Sequence, residues 1–114
     1  PSLQPGSLVV DNSTTSPEVA KEASMLLSKH GVVFLDAPVT GAPARAVAGT
    51  LTVMAGGCQQ SLEEVRPILE TFAAKVLHMG AVGNGQLAKA LNNCLYNISC
   101  AATAEMLPFA ARAQ

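Results

Sequence analysis

The 114-residue sequence predicts an α/β fold, in the order β-α-β-loop-β-α-β, followed by one long helix. Three observations predict it. Short apolar runs bounded by turn residues recur along the chain, as buried strands do. Segments with apolar residues at helical spacing separate them. A sustained apolar helical pattern closes the chain, and from Gln86 to Ala111 its only formal charges are Lys89 and Glu105.

Each element has a local reason. Ser7–Asp11 is a short apolar run after Pro5-Gly6, read as a buried strand. Ser16 is a good N-cap, with Pro17 at the first helical position and Glu18 in the first turn. That helix is expected to run to about His30, burying Val19, Ala23, Leu26 and Leu27, and to stop at Gly31. Val32–Asp36 is the next strand, which makes a βαβ unit with a right-handed crossover. Ala37–Pro43 reads as a loop from its Pro and Gly content, with one helical turn over Ala44–Ala48. Thr50–Ala55 alternates and ends at Gly56-Gly57, as a strand would. Ser61 is expected to cap a helix that buries Leu62, Val65, Ile68, Leu69 and Phe72. Lys75–Met79 is the last strand, Gly80–Gly85 a turn, and the long helix starts near Asn84 to Gln86. The first two strands should be parallel. The pattern leaves the direction of the third and fourth open.

Composition narrows the function classes. Net charge is −1 and charged residues are 13% of the chain, about half the usual quarter. With no basic cluster and 4% aromatics, nothing favours nucleic acid or an anionic membrane surface as partner. No apolar run reads as a membrane span. Cys58, Cys94 and Cys100 form no CxxC pair, which argues against a disulfide framework and for a reducing compartment, the cytoplasm. His30 and His78 lack metal-ligand spacing, so no metal site is expected. The chain starts at Pro1 and stops at Gln114 inside a helical pattern, which reads as a fragment of a longer protein.

Ligands of open α/β sheets bind outside the C-terminal strand ends. Asn12–Ser16, Ala37–Pro43 and Gly80–Gly85 leave such ends, and Ser13, Thr14 and Thr40 supply hydroxyls there. Lys89 and Asn93 stand four residues apart and so share one helix face, with Gln86 and Asn97 extending the polar stripe. A Lys–Asn pair of this kind can hold a substrate oxygen between an acid/base group and a hydrogen-bond donor. Plainer uses exist for each segment: helix capping for Asn12–Ser16, a turn for Thr40-Gly41-Ala42, a solvated stripe for Lys89 and Asn93.

Four stretches also carry a family resemblance: Asp11–Pro17, Leu35–Ala42, Gly49–Gly57 and Gly83–Asn93. The sequence resembles the 3-hydroxyisobutyrate dehydrogenase family of β-hydroxyacid dehydrogenases over nearly its whole length, in the family's order and spacing. The resemblance implies a partial Rossmann-like three-layer sheet. It assigns residues 1–82 to the C-terminal half of an NAD(P)-binding domain, and 83–114 to the start of an interdomain helix leading to an absent all-α domain. It implies hydride transfer between NAD or NADP and a short 3-hydroxy acid or its semialdehyde. Lys89 matches the catalytic lysine and Asn93 a substrate-holding asparagine. Thr40, Gly41 and Ala42 match the loop for the substrate carboxylate, and Thr14 matches a cofactor contact. Thr40 stands where the family usually has Ser, and Ala42 where it usually has Gly. No GxGxxG segment follows an N-terminal strand, so the main pyrophosphate-binding turn is expected upstream of Pro1. The isolated chain is therefore expected to be inactive and to form a homodimer, including one that exchanges the long helix. The alternatives are a non-enzymatic binding or assembly module on the same fold, and a relative of 6-phosphogluconate-type dehydrogenases.

Overall fold

A computed structural model describes residues 3–113; Pro1 and Gln114, the ends read as those of a fragment, lie outside the described residues. The elements are β1 (Leu8–Asp11), α1 (Pro17–Ser28), β2 (Val33–Asp36), β3 (Val39–Thr40), α2 (Ala42–Val47), β4 (Leu51–Ala55), α3 (Gln59–Leu69), β5 (Ala73–His78) and α4 (Asn84–Arg112).

β1 and β2 pair in parallel, from Leu8 opposite Val33 to Asp11 opposite Asp36. β4 and β5 also pair in parallel. Between them β3, part of the segment read as a loop, runs antiparallel to β4 with Val39 opposite Val53. The two sheets are stitched at one point. Asp36 N–H donates to the Gly56 carbonyl at 3.1 Å, and Gly56 N–H returns to the Asp36 carbonyl at 2.7 Å. β2 and β3 thus act as one bent edge, pairing with β1 on one side and β4 on the other. The bend falls at Ala37-Pro38, where proline has no N–H to give a ladder.

The core gathers Leu35, Ala37, Val53, Ala55, Leu62, Leu69 and Ala73. Leu62 and Leu69 are buried as expected, but Ile68 is 65% exposed. On α1 the expected face is rotated: Ala20 is buried, Ala23 and Leu27 are half-buried, and Val19 and Leu26 are about half exposed. α1 touches both β2 and the start of α4, and Gly83 comes so close that an added Cβ would lie 3.0 Å from the Pro17 carbonyl. The absence of a side chain at Gly83 is what permits that approach. α3 starts at Gln59, not after Ser61, because Cys58 takes the N-cap position without a side-chain hydrogen bond. Ser16 caps α1 as read, accepting from Val19 N–H at 3.3 Å.

α4 projects from the sheet, giving overall dimensions of 66 × 29 × 24 Å. Leu91, Leu95, Tyr96, Ile98, Met106, Leu107 and Phe109 are each more than half exposed along it. Among the described residues no helix is long and apolar enough to cross a membrane.

Candidate active site

The site depends on how α4 is held. Its first turn begins at Gly83, whose φ of +91° suits glycine. The first N–H groups of any helix lack partners inside it. Here Asp36, at the end of β2 and fully buried, supplies the acceptors. Gly83 N–H donates to Asp36 Oδ1 at 2.7 Å and Gln86 N–H to Oδ2 at 2.9 Å. A carboxylate at this end also meets the positive pole of the helix dipole. Backbones crowd closely around it. A Cβ on Gly56 would lie 2.5 Å from Asp36 Oδ1, and one on Gly85 would strike the Met54 carbonyl. The start of α4 is thus already occupied by an internal anion, and the glycines there serve packing.

Gln86 is fully buried as well. Its Oε1 accepts from Thr15 N–H at 2.9 Å and its Nε2 donates to the Ser13 carbonyl at 2.8 Å. This corrects the expectation that Gln86 extends the polar stripe of Lys89: it turns to the β1–α1 loop and locks that loop to α4. Asn97 is exposed and does not line the cleft described next. Ser13 is held in turn by Asp11, whose Oδ1 accepts from Ser13 N–H at 2.9 Å and from its hydroxyl. Thr14 is exposed on this loop. The Thr15 hydroxyl is buried without a partner.

On its other side α4 faces the β3–α2 segment across a cleft of about 850 Å³. Thr40, Gly41, Ala42, Lys89 and Asn93, all singled out from the sequence, line it together. Thr14 does not line it. Asn92 and Tyr96 line it too. With Lys89 and Asn93 they stand at i, i+3, i+4 and i+7 of one helix face. Asn92 Nδ2 donates to Thr40 Oγ1 at 3.3 Å, across 52 residues of sequence. That bond occupies a lone pair of the Thr40 hydroxyl and leaves its O–H free to donate into the cleft. Hydrogen bonding with the Cys100 thiol pushes the Tyr96 phenol above its ordinary range. Ala42 has φ +59°, the left-handed region that glycine enters without strain. Sequence reasoning missed Asn92, Tyr96 and Asp36. The helical spacing from Lys89 carried the signal for the first two. A cap contributed by a distant strand leaves no local signal.

A family of nicotinamide-cofactor domains is the class these features define, and the chain belongs to it. Residues 1–80 match the model of the NAD binding domain of 6-phosphogluconate dehydrogenase. More particularly, the chain is similar to 3-hydroxyisobutyrate dehydrogenases. It is 43% identical over 105 residues to the mitochondrial 3-hydroxyisobutyrate dehydrogenase of Mus musculus, covering 92% of this chain and 31% of that protein. Among solved structures, the Mycobacterium tuberculosis 3-hydroxyisobutyrate dehydrogenase with L-serine superposes with a TM-score of 0.86 at 43% identity, over 90% of this chain and 35% of the other. The 3-hydroxyisobutyrate dehydrogenase of Salmonella typhimurium gives a TM-score of 0.86 at 34% identity, over 98% and 40%. The chain spans about a third of the length of the curated relatives it matches.

Proposed function

We propose that this segment is part of an NAD- or NADP-dependent oxidoreductase that interconverts a short 3-hydroxy acid and its semialdehyde. The observation that carries the reading is the convergence of Lys89, Asn93 and the Thr40 loop on one cleft. On this reading residues 1–82 are the C-terminal half of the cofactor domain and 83–114 begin the interdomain helix.

The roles follow from the chemistry of the groups. Thr40, Gly41 and Ala42 receive the substrate carboxylate through the Thr40 hydroxyl and backbone N–H groups. Asn93 donates to the substrate hydroxyl or carbonyl oxygen. Lys89 takes the hydroxyl proton during oxidation and returns it during reduction, a transfer of the general acid–base kind. Thr14 contacts the cofactor. The β1–α1 loop fits that use: it leaves a C-terminal strand end, keeps Thr14 exposed, and leaves the neighbouring Thr15 hydroxyl unpartnered. The bound nicotinamide supplies the hydride acceptor or donor.

Lys89→Ala in a full-length protein carrying this segment tests the reading. We expect kcat to fall by roughly a hundred- to ten-thousand-fold; turnover near wild type refutes the role of Lys89. The 114 residues alone contain no GxGxxG turn, and we expect no hydride transfer from them with either cofactor. The exposed apolar residues of α4 support a homodimer, helix-exchanged or not, and a monomer by sedimentation at micromolar concentration counts against it. Three free cysteines support a reducing compartment such as the cytoplasm.

A further inference from the structure

Arg45, on α2, lines the same cleft as Lys89. Among the described residues neither cation makes an ion pair, and no Asp or Glu lines that cleft. The net charge of −1 means that this pair of uncompensated cations is a local arrangement, not a reflection of a basic chain. The Arg45 stem is also seated. It lies against the carboxylate loop so closely that a Cβ added to Gly41 would meet Arg45 Cβ at 2.9 Å and Cδ at 3.0 Å. Gly41 lets the arginine stem lie over the loop, and Arg45 is among the residues that line the cleft.

We propose that the substrate carries two carboxylates, one on the Thr40-Gly41-Ala42 loop and the second on Arg45. The proposal rests on reading the cleft as a hydroxy-acid site, and it makes Arg45 a specificity-determining residue. With Lys89 committed to the substrate hydroxyl, one further cation remains, and its planar fork matches a carboxylate in two parallel hydrogen bonds. A phosphate, with its greater charge and three acceptor oxygens, would draw on more cations than this one.

Calorimetric titration of the full-length protein tests it with a matched pair of 3-hydroxy acids, 3-hydroxyglutarate and 3-hydroxybutyrate, and with 6-phosphogluconate. We expect 3-hydroxyglutarate to bind about tenfold more tightly than 3-hydroxybutyrate, the gain of one charge-assisted pair at a partly exposed site. Arg45→Gln should abolish that preference by weakening 3-hydroxyglutarate about tenfold more than 3-hydroxybutyrate. Arg45 is exposed, so the variant should retain the wild-type unfolding midpoint. Equal affinity for the two acids in the wild type, or an unchanged preference in Arg45→Gln, overturns the dicarboxylate proposal and leaves the hydroxy-acid reading standing. Tighter binding of 6-phosphogluconate overturns the choice of a carboxylate. Binding of none of the three overturns both readings.

Discussion

Asp36→Ala should destabilise the domain more than its small change in volume suggests. The carboxylate is fully buried and accepts from two N–H groups that start α4, at 2.7 and 2.9 Å. Without it both donors are left in a water-poor setting. A buried donor without its acceptor costs ~1–3 kcal/mol, and losing a negative charge at a helix N-terminus adds up to ~2 kcal/mol. Together these come to about 4 kcal/mol, a large share of the ~5–15 kcal/mol that holds a typical domain folded. At ~4–8 °C per kcal/mol for a chain near this size, the unfolding midpoint should fall by more than ~15 °C. Thermal unfolding followed by circular dichroism reads the total. Amide hydrogen exchange reads its location: the Gly83 and Gln86 amides should lose protection before the β4–β5 ladder does. Asp36→Asn keeps one acceptor and should lose about half as much. Asp11→Ala, which removes an acceptor at the exposed β1–α1 loop, serves as control and should shift the midpoint little. An Asp36→Ala midpoint within a few degrees of wild type, or unchanged exchange at Gly83 and Gln86, would refute the reasoning.

Three further outcomes are expected. Ala42→Gly relieves a left-handed residue worth ~1–2 kcal/mol but loosens the unfolded chain by ~0.4–1 kcal/mol, so a net gain of roughly 0.5–1 kcal/mol should appear as a higher urea midpoint at constant slope. Gln86→Leu leaves Thr15 N–H and the Ser13 carbonyl without partners, which should cost about 2 kcal/mol and concentrate new proteolytic cleavage between residues 12 and 16. The Arg66 guanidinium, hydrogen-bonded to Glu63 at 2.6 and 2.8 Å, holds the Glu63 carboxyl below its ordinary range. A group depressed in the folded state adds stability above its unfolded pKa and loses it as pH falls through the folded value, so Glu63→Gln should lower stability slightly at neutral pH, leave it unchanged below the folded pKa, and thereby flatten the acid limb of the stability curve.

The parts of the fold legible in the sequence are those set by local chemistry. Ser16-Pro17 marks the start of α1, and Gly83-Asn84-Gly85 marks the start of α4 within a residue. Chain order grouped Lys89 with the Thr40 loop, Ser13 and Thr14, and helix spacing put Asn93 beside Lys89; Lys89, Asn93 and the Thr40 loop do line one cleft, whereas Ser13 and Thr14 lie outside it. Tertiary contacts decided what was not legible. β3 has two residues and follows a proline, too short a stretch for period-two alternation to show, so its pairing with β4 has no sequence signature. The buried face of α1 is set by two neighbours at once, and helical periodicity registers only an average direction. Cys58 begins α3 without a capping side chain, so the nearest good capping residue, Ser61, misplaced the start. Asp36 is separated by 47 residues from the Gly83 amide it accepts from.

That separation has a consequence for how the protein tolerates change. One buried carboxylate both secures the start of α4 and sets the rotation of the helix, and with it the direction in which Lys89, Asn92, Asn93 and Tyr96 face. Mutations around Gly56, Asp36 and Gly85 therefore have little room to exchange robustness for performance, since whatever loosens the joint also mis-aims the lysine. Selecting variants for resistance to heat would, at these positions, select at the same time for an intact cleft.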